Sequence, residues 1–246
     1  MKLKGIIKGT SILKMLAGST DLNRIKLCIN EKLFYKYSVS KDFKTQLIAF
    51  PEANYSDEHN VKHTCAGVVF LLKLDSNFEW VVYNEITAPQ RINFGLFGSS
   101  MELSQDGKVI CIANAKTNDV NNSVFIYNAE GHLRQELSVP LGSSFGNTIV
   151  LSKNKKQLLI SAHEFSEASD IVNSGKIAVF NLNTSNIYEI YQELTMSVPY
   201  DCFGEMVFTN YDHDLSFNKI NRIATIGYHT SLTIFELRKD KWYLKY

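Results

Sequence analysis

Short runs of alternating apolar and polar residues follow one another along this chain and recur in sets of four. The third run of each set reads AGVVFLLKL from Ala66, NSVFIYN from Asn122, SGKIAVFNL from Ser174 and TSLTIFEL from Thr230. A fourth run closes each set, as in IYEIYQEL from Ile187 and KWYLKY from Lys241. Alternation with a period of two residues predicts β-strands. The pattern therefore predicts an all-β fold built from four-stranded units.

The pair Phe-Gly opens three of these units, at Phe97-Gly98, Phe145-Gly146 and Phe203-Gly204. A weaker first copy, FYKYSVSKDFKTQLIAFPEA, begins at Phe34. The predicted repeats cover residues 34–96, 97–144, 145–202 and 203–246, and residues 1–33 form a separate N-terminal segment. Unequal loops on equal strand frames explain why the copies differ in length.

A single four-stranded sheet cannot cover both of its faces, so neighbouring units must stack. Radial stacking into a β-propeller buries the apolar faces between successive blades and protects most strand edges. Four blades make a small ring. Three alternatives stay open: the ring is small, residues 1–33 add a partial extra blade or an exchange arm through segments such as SILKML and RIKLCI, or partner chains complete it.

The repeats resemble the FG-GAP propellers, a family that includes integrin α-subunits. The pieces that carry the resemblance are FGSSMELSQDGKVICIANA from Phe97 and AHEFSEASDIVNSGKIAVF from Ala162, and the likeness spans residues 34–246. The chain departs from that pattern at Leu33-Phe34 in the first copy and at Ile226-Gly227-Tyr228 in the last. Because the family has many roles, the resemblance implies a propeller fold more than a function.

Composition narrows the class of protein. With 26 basic and 25 acidic residues the net charge is +1, so no strong field favours nucleic acid as a partner. Residues 1–19 lack the continuous apolar stretch of a signal peptide, and no run approaches the length of a membrane span. Four cysteines without a CxxC pair do not indicate a disulfide scaffold. We therefore expect a protein that is cytoplasmic or assembled into a particle, without membrane insertion.

One turn of the last copy carries oxygen side chains at metal-ligand spacing. These are Asn210, Asp212, Asp214 and Asn218, and the turn looks like the calcium loop of integrin propellers. Leu215 stands where that loop has glycine, and the two asparagines replace carboxylates. A plain polar turn is the favoured interpretation, with calcium as the ion that the loop would otherwise hold. No other cofactor is predicted.

Two further sets of residues are candidates for a metal site and for a catalytic site. The loop before Ala66 brings zinc-type donors into one stretch, namely Asp57, Glu58, His59, His63 and Cys65, but their spacing matches no common zinc module. Three carboxylates, Glu85, Glu102 and Asp119, are candidates for the central channel of a propeller glycosidase. Motifs of hydrolases and nucleotide-binding proteins are absent from the sequence.

These observations favour a non-enzymatic binding protein. We expect a rigid propeller that presents its loops to protein partners as a subunit of a larger assembly, for example a phage particle or virion, or as a homo-oligomer. The alternative is a surface adhesion or glycan-binding module, and a propeller glycoside hydrolase is the third possibility.

Overall fold

The strands form four successive antiparallel sheets of four strands each, as the repeats predict. The structure is a computed structural model that describes residues 25–26, 35–56, 59, 61–114, 122–138, 144–166, 172–196, 200–209, 222–226, 232–239 and 241–245. A small separate sheet contains β1 (Ile25–Lys26), β4 (Asn54–Ser56) and β5 (Lys62–His63). Sheet 1 contains β2 (Lys36–Val39), β3 (Thr45–Phe50), β6 (Val68–Leu74) and β7 (Trp80–Ile86).

The other three sheets repeat this order without the small insertion. Sheet 2 contains β8 (Ser100–Leu103), β9 (Val109–Ala113), β10 (Ser123–Asn128) and β11 (Leu133–Ser138). Sheet 3 contains β12 (Phe145–Leu151), β13 (Gln157–Ala162), β14 (Lys176–Leu182) and β15 (Tyr188–Thr195). Sheet 4 contains β16 (Met206–Thr209), β17 (Arg222–Ile226), β18 (Thr233–Arg238) and β19 (Lys241–Lys245).

Apolar side chains fill the space between consecutive sheets. Separate clusters lie between sheets 1 and 2, sheets 2 and 3, and sheets 3 and 4. The first strands of the sheets are neighbours in turn, because β2 contacts β8, β8 contacts β12, and β12 contacts β16. This all-β, propeller-like arrangement confirms the prediction of stacked four-stranded units.

Each Phe-Gly pair occupies the same environment at the start of its sheet. Phe97, Phe145 and Phe203 are at most 1% exposed, and each ring packs against a phenylalanine of the third strand of its own sheet. The following glycine has a φ near +90°, a conformation that disfavours a side chain. A Cβ on Gly98 would also lie 2.7 Å from the Cβ of Ala49 in the preceding sheet. The pair therefore joins one sheet to the previous one.

Backbone contacts between described residues complete the joint at the junction of sheets 1 and 2 and at that of sheets 3 and 4. The amide of Phe97 donates to the carbonyl of Ala66, and the amide of Phe203 donates to the carbonyl of Ser174, each at 3.0 Å. Gly67 and Gly175 follow these carbonyls with φ values of +82° and +83°. A Cβ at either glycine would lie within 2.2 Å of the carbonyl oxygen of the phenylalanine opposite. Only glycine fits there.

The outermost strands carry a repeated amide side chain whose role could not be predicted from the sequence. A β-bulge interrupts the pairing of the third and fourth strands in sheets 1, 2 and 3. The residue after each bulge is Asn84, Gln135 or Gln192, in the related sequences YNEI, RQEL and YQEL. We call these three side chains the amide clamps, because each hydrogen-bonds the backbone of the next sheet.

The clamps of sheets 2 and 3 make two hydrogen bonds each. Gln135 donates to the carbonyl of Tyr188 at 2.8 Å and accepts from the amide of the same residue at 2.9 Å. Gln192 likewise donates to the carbonyl of Trp242 at 3.0 Å and accepts from the amide of the same residue at 2.9 Å. Asn84 donates to the carbonyl of Glu130 at 2.9 Å. The sheets are thus held together at their outer edges by polar contacts and inside by apolar clusters.

The turns between first and second strands also repeat. Ser40, Ser104 and Ser152 each accept a hydrogen bond from the amide five residues ahead and donate to the carboxylate or amide oxygen two residues ahead. These hydrogen bonds close tight hairpins, as expected for polar turns with Asp or Asn.

No helix in the described part of the chain is long and apolar enough to cross a membrane.

The N-terminal segment is described only at β1. Ile25 and Lys26, within the segment RIKLCI, pair with Tyr55 and Asn54 of β4. This strand therefore belongs to the small sheet, beside the loop that joins β3 to β6. The remainder of residues 1–33 lies outside the described residues.

Candidate functional site

The most chemically varied group of side chains lies where the first strands of the sheets begin. We call this the upper end of the fold, and we call the opposite end, with the serine-closed turns, the lower end. A cavity of about 150 Å³ opens at the upper end between sheets 2 and 3. It is lined by Ser99, Asn114, Ser144, Phe145, Gly146, Asn147 and His163. Apart from one buried ring and one glycine, this lining is polar.

A histidine and a carboxylate meet beside this cavity. His163 follows the last residue of β13, and Glu205 precedes the first residue of β16, so strands of sheets 3 and 4 bring them together. The Nε2 atom of His163 lies 3.4 Å from Oε2 of Glu205. Among the described residues, Nδ1 of His163 has no hydrogen-bond partner although it is buried. Within the described ranges, Oε2 of Glu205 is likewise buried without a hydrogen-bond partner, so the two side chains are in contact but are not hydrogen-bonded to each other.

Neighbouring side chains hold this pair in place. Asn147 donates from Nδ2 to the backbone carbonyl of Glu205 at 3.0 Å, which ties sheet 3 to sheet 4. Asn114 accepts the amide of Ser123 on Oδ1 at 2.6 Å, so its own amide orientation is set. Ser144 donates a hydrogen bond to Oε2 of Glu164. The hydroxyl and amide groups around the cavity are therefore held by the protein.

The backbone is strained at the same place. Leu96, Ser144 and Cys202, which directly precede the three Phe-Gly pairs, all have positive φ values of 45–52°. This left-handed conformation is costly for residues other than glycine, and it persists where surrounding contacts enforce it. At Ser144 it places a hydroxyl on the cavity wall.

Negative charge gathers behind the histidine. Asp201 is fully buried next to Cys202, and Glu164 and Glu205 lie nearby. Burial raises the pKa of the Cys202 thiol, and the carboxylates of Glu205, Glu164 and Asp201 raise it further. Cys202 therefore stays protonated at neutral pH and is not a nucleophile.

Two cavities lie lower along the inner strands. One of about 360 Å³ is lined by residues of β2, β8 and β12 and includes the carboxylate of Glu102. The other, of about 640 Å³, lies among the lower turns and is lined by Lys41, Asp42, Gln105, Asp106, Lys108 and Lys153. Of the three carboxylates considered from the sequence, Glu102 thus faces an inner cavity. Glu85 lies on the outermost strand β7, and Asp119 lies outside the described residues.

The structure gives no support to a metal site where it can be assessed. Asn210, Asp212, Asp214 and Asn218 all lie outside the described residues, so the calcium loop stays a prediction. In the loop before β6, His63 ends β5, and the amide of Cys65 donates to Oδ1 of Asn54 at 2.8 Å. Within the described ranges, no group of three or more His, Cys, Asp or Glu side chains is arranged to hold a metal ion.

Comparisons with known proteins identify a fold. No family model and no curated protein sequence matches the chain, so the FG-GAP resemblance stays a prediction. Solved structures do match. They include a periplasmic gluconolactonase of Pseudomonas aeruginosa (12% identity, TM-score 0.50, 85% of this chain and 70% of that one). They also include a protein from Lactobacillus plantarum (11%, 0.51, 85% and 55%) and a Bacteroides fragilis protein assigned as a 6-phosphogluconolactonase (10%, 0.51, 85% and 68%).

These matches correct the functional prediction. At 10–12% identity they establish a shared propeller-like fold, and the chain spans only 55–70% of the length of these proteins. Two of the three are named as lactonases, which are enzymes. The prediction of a non-enzymatic structural or virion protein is therefore wrong, and the adhesion alternative has no support.

The error has a physical cause. The sequence analysis looked for catalytic residues close together in the chain, whereas His163, Glu205 and the cavity-lining asparagines come from strands of different sheets. A signal was nevertheless present, because Glu205 occupies the position directly after Phe-Gly where the other copies have Ser99 and Asn147. It is the one ionisable residue in that register.

Proposed function

We propose that this protein is a hydrolase that opens the ring ester of a polyhydroxylated acid, that is, a sugar lactone. The observation that carries the proposal is the His163–Glu205 pair, 3.4 Å apart, beside a polar cavity at the upper end of the inner strands. Structural neighbours named as lactonases support the reaction class.

His163 is the general base of the proposed reaction. Its ring accepts a proton from a water molecule as the water oxygen bonds to the lactone carbonyl carbon. The bond from that carbon to the ring oxygen then breaks, and the imidazolium returns the proton to the leaving oxygen. Lactone and water are converted into one hydroxy acid, and no cofactor is consumed.

Glu205 is a positioning residue in this scheme. Its carboxylate lies 3.4 Å from Nε2 of His163, without a hydrogen bond between them, and its negative charge would offset the positive charge that the ring gains during the reaction. Glu205 is in turn fixed through its backbone carbonyl by Asn147. The arrangement resembles the base and orienting group of other hydrolytic sites in its chemistry.

The cavity lining accounts for a hydroxylated substrate. Ser99 and Ser144 contribute hydroxyl groups, and Asn114 and Asn147 contribute amides. Hydroxyl and amide groups can both donate and accept, which suits the hydroxyl groups of a sugar ring.

The test is the rate of acid release from glucono-1,5-lactone above its spontaneous opening, measured with a pH indicator. His163→Gln should lower kcat by roughly 10²- to 10⁴-fold, which is the usual contribution of a general base. His132→Gln is the matched control, because His132 is exposed in the turn between β10 and β11. Unchanged thermal unfolding of both variants would show that they are folded.

Two outcomes would overturn the proposal. One is a wild-type protein that does not accelerate the opening of neutral or charged sugar lactones. The other is a folded His163→Gln variant that is as active as the wild type. Glu205→Gln should reduce kcat less than His163→Gln, because it leaves the base in place.

We also propose, as the sequence suggests, that residues 1–33 contribute to closing the propeller as a partial blade. The face of sheet 1 that turns away from sheet 2 supports this, since Ile48, Phe70 and Leu72 on it are at most 2% exposed. A chain lacking residues 1–33 should unfold at lower temperature or change its mass in solution. A truncated protein that is monomeric and equally stable would contradict it.

A further inference from the structure

Six of the hairpin turns at the lower end share one construction. In each, the carbonyl of the first residue accepts a hydrogen bond from the amide three residues ahead, at 2.8–3.1 Å. That fourth residue has a φ of 56–82°, the left-handed conformation that favours glycine. The fourth residues of the six turns are Phe43, Phe78, Gly107, Gly131, Lys155 and Asn186.

The turns of sheet 1 depart from what this construction favours. Phe43 and Phe78 place a bulky aromatic residue in a conformation that is costly for any side chain. Neither ring is buried in return, because Phe43 is 59% and Phe78 is 83% exposed. The two phenylalanines therefore weaken the fold without packing into it. A contact outside the chain accounts for them, since local strain is typically retained at functional sites.

The two rings belong to neighbouring turns. The Phe43 turn joins the first and second strands of sheet 1, and the Phe78 turn joins the third and fourth. The centres of the turns are therefore two strand spacings apart, or roughly 10 Å. The amide of Leu74 donates to the carbonyl of Lys44 at 3.0 Å, which links one turn to the other. Phe43 and Phe78 thus form one apolar surface on a fixed frame, which we call the phenylalanine patch.

The two turns that carry the patch have opposite charges. The Phe43 turn, SKDFK at residues 40–44, contains two lysines and one aspartate. The Phe78 turn, DSNFE at residues 75–79, contains one aspartate and one glutamate. A surface with a positive and a negative half is complementary to a copy of itself rotated by 180°. An anionic lipid surface or a nucleic acid would instead be repelled by the second turn.

We propose that the lower turns of sheet 1 are the contact surface of a symmetric homodimer. The phenylalanine patches of two copies pack on each other about a two-fold axis, and each Phe43 turn faces the Phe78 turn of the other copy. The upper-end cavity of each copy stays open, so the inference does not depend on the proposed hydrolase reaction. Because two turns per copy make a small contact, the dimer should be weak, with a Kd in the micromolar range.

Sedimentation velocity over low-micromolar to near-millimolar concentrations is the first test. The average mass should rise from 28.0 kDa towards twice that value and no further. High salt should weaken the association, because it screens the opposite charges of the two turns. A protein that stays monomeric throughout, or that forms larger aggregates, would overturn the proposal.

The double variant Phe43→Gly, Phe78→Gly tests the patch directly. It removes two rings from each copy and should raise the Kd by at least about 10-fold. Its Tm should equal or exceed that of the wild type, because glycine relieves the strain in both turns. Asn186→Gly, at the same position of a turn in sheet 3, is the matched control and should leave the Kd unchanged. An unchanged Kd or a lowered Tm in the double variant would contradict the inference.

Charge reversal tests how the two copies face each other. Lys44→Glu makes both turns negative, and Glu79→Lys removes the net negative charge of the second turn. Each variant alone should dimerise more weakly than the wild type, whereas an equimolar mixture of the two should associate better than either alone. A mixture that is no better than its components would refute the arrangement. Binding of the monomer to phosphatidylcholine–phosphatidylserine vesicles, lost in the double phenylalanine variant, would assign the patch to a membrane and overturn the dimer.

Discussion

Gly175 gives the sharpest test of how the sheets are joined. A Cβ added there would lie 2.1 Å from the carbonyl oxygen of Phe203 and 2.4 Å from its amide nitrogen. Neither atom can move alone, because both belong to the backbone that begins sheet 4. Gly175→Ala must therefore displace the Phe203 segment, whose ring is completely buried.

The expected loss can be estimated from the contacts at this point. An alanine at φ +83° costs about 1–2 kcal/mol relative to glycine. Displacement also weakens the hydrogen bonds from the amides of Cys202 and Phe203, at 2.9 and 3.0 Å, which are worth about 0.5–1.5 kcal/mol each. The total is about 3 kcal/mol, or a fall in Tm of about 6–12 °C for a chain of this size.

Gly131 provides the matched control. Its φ is +82°, so Gly131→Ala has the same conformational cost, but its Cβ would meet side chains and not a backbone. These are the tip of Asn84 at 2.7 Å, whose single hydrogen bond to Glu130 would also be disturbed, and Ile86 at 3.2 Å. Thermal unfolding should place Gly175→Ala about 4–8 °C below Gly131→Ala. Gly67→Ala, 2.2 Å from the Phe97 carbonyl, should behave like Gly175→Ala. Equal melting of the Gly175 and Gly131 variants would refute the reasoning.

Two further predictions concern a clamp and a carboxylate. Gln192→Met removes both hydrogen bonds to the backbone of Trp242 and should lower the free energy of unfolding by about 1–3 kcal/mol. Urea unfolding followed by tryptophan fluorescence measures this change. An unchanged unfolding midpoint would show that the clamp does not stabilise the junction. Burial would raise the pKa of Asp106, but hydrogen bonds from Lys155, Ser104 and the backbone outweigh it, so the folded pKa lies below 3.8. The carboxylate therefore stabilises the fold above pH 3.8, by less than about 1 kcal/mol at this exposed site, and this stability is lost as the pH falls through the folded pKa. The difference in Tm between wild type and Asp106→Asn should disappear in acid, and a difference that grows there would contradict the assignment.

The architecture could be predicted because it repeats. Phe97, Phe145 and Phe203 are each buried against a partner ring and lie close to the preceding sheet. The same packing requirement therefore recurs at three places in the fold, and the same Phe-Gly dipeptide meets it each time. The amide clamps were equally visible as YNEI, RQEL and YQEL, but they were overlooked because their role appears only when the next sheet is in place.

The candidate site could not be predicted in the same way. His163 and Glu205 become neighbours only through the stacking of sheets 3 and 4. A site assembled from single residues of separate repeats leaves no local motif. Its members differ from the residues at matching positions in the other copies, so a search for departures from the repeat would have been more informative than a search for known motifs.

The amide clamps have a consequence for how such a chain can grow. Each of the first three units carries, at its own outer edge, the side chain that attaches the unit after it. Duplicating one complete unit in the gene would therefore also duplicate the means of fastening the new copy. Lengthening by whole modules would preserve every attachment point, whereas insertion of a partial module would separate a clamp from the backbone that it holds.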